Sequence, residues 1–177
     1  MPHYNHVMAK LAILRYPDPR LHRKAKPVAQ VDERIRQLVA DMAQTMYEAP
    51  GIGLAATQVD VHEQVIVVDI SDSRDQLMVF INPVLMSQSE TLSDYEEGCL
   101  SIPEYYEMVT RPAEIRVAYV DRQGEAQEMH ATGLMATCLQ HEIDHLNGVL
   151  FIDHISRLKR ERVIKKFTKA ARRDGDA

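Results

Sequence analysis

The chain has 177 residues, 45% apolar and 27% charged, with a formal net charge of −5. That length suits one domain able to bury its own core, and the acidic balance argues against a general nucleic-acid binder. Two cysteines, Cys99 and Cys138, are too few for a disulfide scaffold and fit a reducing compartment; no apolar run approaches the roughly 20 residues of a membrane span, and the start shows no secretory signal.

Residues 1–8 read as a disordered extension, since Met8 can itself serve as a start, and His3 and His6 read as solvated tail residues. "YPDPRL" is a turn in which Pro17 and Pro19 block helix. Asp32 suits an N-cap, and Ile35, Leu38, Val39, Met42 and Met46 follow at helical spacing, which predicts an amphipathic helix over 33–48. Pro50, Gly51 and Gly53 stop it. "QVIVVDI" (64–70) and "LMVFIN" (77–82) have strand character, and "PVLMSQSETLSDY" carries one or two further strands. "AEIRVAYV" (113–120) turns at "DRQG" into "EAQEMHA", a hairpin. The helical period returns over 132–146 and ends at Asn147-Gly148. "GVLFID" is a short link, and a basic helix with a frayed tail occupies 155–177. The predicted fold is α+β: antiparallel strands packed around a central metal-binding helix, with one N-terminal and one C-terminal helix, in a single catalytic domain over 1–177.

The chemistry concentrates in "CLQHEIDHLNG" (138–148). His141 and His145 stand one helical turn apart, so both imidazoles can share one ion. Glu142 is rotated away from them, beyond easy ligation but within reach of a water in an open coordination position, the place of a general base. Leu134, Met135, Leu139, Ile143 and Leu146 make the segment read as buried rather than as a surface helix. Two histidines leave a third ligand to be found. Asp153 and His154 lie beyond Gly148 and a strand-like link and do not fit. Cys138 sits roughly 7 Å from the expected ion along the axis, at about 1.5 Å per residue, so it reads as a small buried hydrophobe lining the site. Cys99 is the better candidate: Gly98 before it gives backbone freedom and Pro103 ends the segment, so a turn can carry a thiolate to the helix. Alone, Cys99 would read as a core residue; beside an incomplete two-histidine site it reads as a ligand. Three protein ligands leave the fourth position for water, as a catalytic site needs.

"GIGLAATQ" (51–58), "EGCLS" (97–101) and "QHEIDH" (140–145), in this order, resemble the three signature motifs of peptide deformylases, and the similarity extends to "RYPDPRLHRKAKPV" and "LNGVLFID". The resemblance implies a hydrolase that removes the N-formyl group from the initiator methionine of nascent peptides and releases formate. It implies metal ligands Cys99, His141 and His145, with Glu142 as acid and base. Gln58 and the backbone N–H of Leu100 are implied as donors to the formyl oxygen. One divalent ion is implied, most commonly Fe2+, with Zn2+, Ni2+ or Co2+ able to occupy the same ligands. The glycines of "GIGLAATQ" would let an extended peptide lie against the chain. Ile52, Gly53, Leu134, Thr137 and Cys138 are expected around the substrate methionine. Glu97 is expected at the same pocket, and it and Arg111 read either as a pair or as two separate solvated groups. Many relatives carry Arg seven residues after the ligand cysteine, where this chain has Tyr106, which predicts altered contacts at the pocket rim.

Between Arg157 and Arg173 stand nine Lys or Arg against the single acid Glu161. Such a face reads either as the solvated side of an amphipathic helix or as a surface for RNA phosphates, and in some members of the resembled family this helix docks on the ribosome. A monomer is expected, with neither DNA nor membrane as partner, in a bacterial cytoplasm or an organelle's stroma or matrix. Two other readings stand beside this one: a metalloprotease cleaving internal peptide bonds, and a structural Cys/His2 metal site in an RNA-binding module.

Overall fold

The computed structural model describes residues 9–175; the expected extension over 1–8, with His3 and His6, lies outside the described residues. Strand β2 (Val65–Val68) is buried at all four positions. Val65 and Val67 face one apolar cluster with Ile35, Val39, Met42 and Met46, while Ile66 and Val68 face another with Cys138, Leu139 and Leu146. The five-stranded antiparallel sheet is therefore covered on both sides, which is why this strand reads as an unbroken apolar run. Helix α1 (Glu33–Glu48) covers one side, its N-terminus capped by Asp32, whose carboxylate accepts from Ile35 N at 3.1 Å. Helix α2 (Gly133–Leu146) covers the other. Strands β1 (Gly53–Ala55), β3 (Met78–Gln88), β6 (Glu114–Val120) and β7 (Ala126–Thr132) complete the sheet in the order β1-β2-β3-β6-β7. The hairpin predicted across "DRQG" joins β6 to β7. Helix α3 (Arg157–Gly175) closes the described chain.

Three expectations need correction. Pro83 does not end its strand: β3 runs on to Gln88 through a register shift between Ile81 and Val84. Asn82 there is left-handed (φ 50) and its side chain holds Val28, accepting from its N at 2.7 Å and donating to its O at 2.8 Å. A bulge removes the need for a ladder hydrogen bond from proline. Pro103 does not end its segment either: Leu92–Cys99 (β4) and Ile102–Pro112 (β5) form a separate long hairpin. Much of that hairpin is solvated, with Glu96 and Met108 exposed, so it lacks the apolar run that marks a strand. The link after Gly148 is a 3-10 turn, Phe151–His154, that buries Phe151 and Ile152 beneath α3.

Gly148 ends α2 with φ +75, and a Cβ there would stand 2.3 Å from His22 O. Gly124 has a similar φ of +84 but meets nothing nearer than 3.8 Å. Backbone strain and overpacking together should cost Gly148→Ala about 3 kcal/mol or more, and Gly124→Ala strain alone, about 1 kcal/mol. Denaturant unfolding of both variants checks this; equal losses would contradict it.

Candidate metal centre

Helical spacing on α2 brings the two imidazoles together: His141 Nε2 and His145 Nε2 lie 3.2 Å apart. The tight turn between β4 and β5 delivers the third donor, with Cys99 Sγ 3.3 Å from His145 Nε2. All three atoms fall within 4.8 Å of one another. A tetrahedral ion with bonds of about 2.0–2.3 Å separates neighbouring ligand atoms by about 3.3–3.6 Å, so the donor set fits one divalent metal. Cys138 is buried beside the site but is not part of this group.

The donors are held from behind. Glu97, on β4, accepts from both Arg111 Nε (2.7 Å) and Arg111 Nη2 (2.9 Å), and its Oε1 lies 2.9 Å from His141 Nδ1. That contact leaves His141 Nε2 for the ion. Phe151 stacks on the His141 ring with centroids 5.8 Å apart. Arg111 donates onward to Asp144 Oδ2 at 2.8 Å, and His154 Nε2 reaches the same oxygen at 2.8 Å. Burial raises the Glu97 carboxyl, but the hydrogen bonds from His141 and Arg111 outweigh it and hold it down at about 2. Sequence placed Glu97 among the substrate contacts; it is one of the residues lining the cavity, while both carboxylate oxygens turn to Arg111 and His141.

Glu142 is 2% exposed, and its Oε1 lies 3.7 Å from His141 Nε2. Its Oε2 is buried without a protein partner among the described residues. Burial pushes this carboxyl up to about 7. Gln58 is also buried. Its Oε1 accepts from Ala55 N at 3.0 Å, which turns the amide nitrogen toward Ser101 Oγ (3.1 Å) and Cys99 Sγ (3.5 Å).

One cavity of about 820 Å3 joins these groups. It is lined by Ile52, Gly53, Gln58, Glu97, Cys99, Leu100, Tyr106, Leu134, Thr137, Cys138, His141 and Glu142, so every predicted site residue except His145 reaches it. Leu134, expected to be buried, is 40% exposed at the mouth. Tyr106 is exposed too, its ring packed beside Gly98, where a Cβ would come within 2.4 Å of Cε1. Ser101 and Asp144 have no role assigned by sequence, and His154, set aside as a ligand, instead contacts Asp144. Asp144 stands within the helical motif, yet only the tertiary approach of Arg111 reveals its use.

Residues 10–161 match the sequence model of the polypeptide deformylase family. The peptide deformylase of Teredinibacter turnerae is 59% identical, with 92% of this chain and 96% of that protein aligned. The crystal structure of peptide deformylase from Ehrlichia chaffeensis superposes with a TM-score of 0.88 at 38% identity, covering 94% of this chain and 99% of that one. A second crystal structure of the Ehrlichia protein, in complex with actinonin, has the same TM-score at 40% identity, over 92% and 98% of the two chains.

Glu97→Gln keeps the shape of the side chain but removes the charge shared by His141 and Arg111. Metal affinity, read by competition with a chromophoric chelator, should fall about 10- to 100-fold. Unchanged affinity would mean that Glu97 does not orient the ligand.

Proposed function

The chain belongs to the polypeptide deformylase family, and from that membership we propose how its residues divide the work of removing the N-formyl group from nascent formyl-methionine peptides. We assign a single divalent ion, Fe2+ in the cell, to Cys99, His141 and His145. When bound, the ion supplies a Lewis acid for the formyl carbonyl and lowers the pKa of a water at its open position. The observation that carries this reading is the convergence of three lone-pair donors, two of them lining the cavity, beside a buried carboxylate oxygen with no protein partner among the described residues.

Glu142 takes the proton of the attacking water and later gives it to the departing amine nitrogen, leaving formate and a free N-terminus. Gln58 donates through Nε2 to the formyl oxygen as charge develops there, joined by the N–H of Leu100; each such donor is worth roughly 3 kcal/mol. The Ala55 N–H on Gln58 Oε1 sets that direction in advance.

The peptide lies along β1. Asp69 N donates to Ile52 O at 2.8 Å. By antiparallel alternation the polar groups of Gly53 therefore point away from β2, toward the cavity. A peptide can add there as a further strand. Gly53 has no room for a side chain, since a Cβ would stand 2.8 Å from Cys138 Sγ and 3.2 Å from Glu142 Cδ. Ile52, Leu134, Thr137 and Cys138 wall the methionine side chain, and Tyr106 takes the rim position held by Arg in many relatives.

Helix α3 turns Val163 inward and keeps Arg162, Lys165 and Lys169 exposed. We assign its basic face to ribosomal RNA phosphates, with the protein acting as a monomer in a bacterial cytoplasm or an organelle's stroma or matrix. Both cysteines are free, in keeping with a reducing compartment.

Glu142→Ala should retain metal while formate release from formyl-Met-Ala falls about 10²- to 10⁴-fold; undiminished turnover would sink the role given to Glu142. Cleavage of unformylated peptides by the native chain would point instead to an endopeptidase. Changing Arg162, Lys165 and Lys169 to Glu should abolish co-sedimentation with ribosomes at physiological salt without lowering turnover of a short peptide; unaltered co-sedimentation would reject the docking face.

A further inference from the structure

Gly51 precedes the strand that meets the substrate and lies outside the β1–β2 ladder, yet both of its backbone polar groups are held. Its N–H donates to Met46 O, at the end of α1, at 2.8 Å. Its carbonyl accepts from Arg74 Nη2. The other arm of the same guanidinium, Nη1, donates to Asp69 O at 3.3 Å. Arg74 thus bridges the two chains one step beyond the last backbone bond of the pair, from Asp69 N to Ile52 O.

The bridge is itself fixed. Arg74 lies over the Tyr47 ring, 5.0 Å from its centroid. The Tyr47 hydroxyl donates to Asp69 Oδ2 at 2.6 Å, and Asp69 also accepts from Ser71 N and Gln76 N. Arg74 does not line the cavity. A planar guanidinium reaching two carbonyls does what a missing stretch of ladder would do.

We propose that Arg74 is a positioning residue for the peptide strand: by clamping Gly51 O to Asp69 O it fixes the edge at Gly53 against which the substrate backbone pairs. The clamp acts on the part of the substrate that follows formyl-methionine and not on the reacting carbonyl. The proposal rests on the deformylase reading of the cavity and on the pairing at Gly53.

The test is steady-state formate release by the metal-loaded native chain, Arg74→Ala and Arg74→Lys. Each is assayed on formyl-Met-Ala-Ser and on formyl-methionine amide, which lacks the pairing backbone, and each variant's Tm is recorded. Arg74→Ala should raise KM for the tripeptide about tenfold relative to the amide, with kcat changed less than KM. Arg74→Lys, a point charge unable to bridge two carbonyls in one plane, should fall between the two. An equal rise in KM for both substrates, or a fall in kcat with KM constant, would overturn the proposal, as would a lowered Tm with the substrate ratio unmoved. If Arg74→Ala does not fold, the Arg74→Lys ratio alone decides. No formate from the native chain on either substrate would overturn the activity assignment first, and this proposal with it.

Discussion

Two imidazole nitrogens and a thiol sulfur meet within 4.8 Å at the inner end of the cavity lined by Cys99 and His141. Lone pairs at that separation repel unless a proton or a cation sits among them. The rest of the site can be understood as what holds them there. Helical geometry fixes the distance between the histidines, and the β4–β5 turn fixes the sulfur. Glu97 fixes the ring of His141 from behind, and Arg111 keeps Glu97 charged in a buried place. One partner without the other would be costly, because an unpaired buried charge destabilises by about 3–5 kcal/mol. The ion pair is therefore tied to the metal site as closely as the ligands are.

Much of this was legible in sequence where local rules decide. The spacing of His141 and His145, the cap at Asp32, and the stop at Asn147-Gly148 each depend on neighbours within one or two turns. Cys99 could be reached by elimination. The β4–β5 hairpin could not be read, because a solvated ribbon rich in Glu and Tyr has no single apolar face to give a period of two. Strand β1 is only three residues of Gly, Leu and Ala, with no strand propensity of its own. The path from Glu97 through Arg111 and Asp144 to His154 joins β4, β5, α2 and the turn after it, and no spacing encodes such a meeting. Leu134 fitted the apolar stripe of its helix, yet the first turn of α2 projects into the cavity mouth and leaves it open.

The substrate side follows a different logic from the metal side. Charge and hydrogen bonds fix the three donors, whereas on the side proposed for the peptide it is the absence of side chains that shapes the edge. Gly53 touches Cys138 and Glu142 so closely that any Cβ would displace the groups that line the site. Tyr106 likewise fills the space beside Gly98 that a side chain there would need. A backbone stripped of side chains has little to hold it, so restraint comes from outside the cavity. That explains the dense set of bonds around Tyr47, Asp69 and Arg74.

The measurement that bears most directly on the account is X-ray absorption at the metal edge of the anaerobically purified protein. One sulfur at about 2.3 Å and two nitrogens at about 2.0–2.1 Å, with one light-atom position exchangeable with solvent, is the predicted shell. A second sulfur from Cys138, or four donors all from protein, would contradict it.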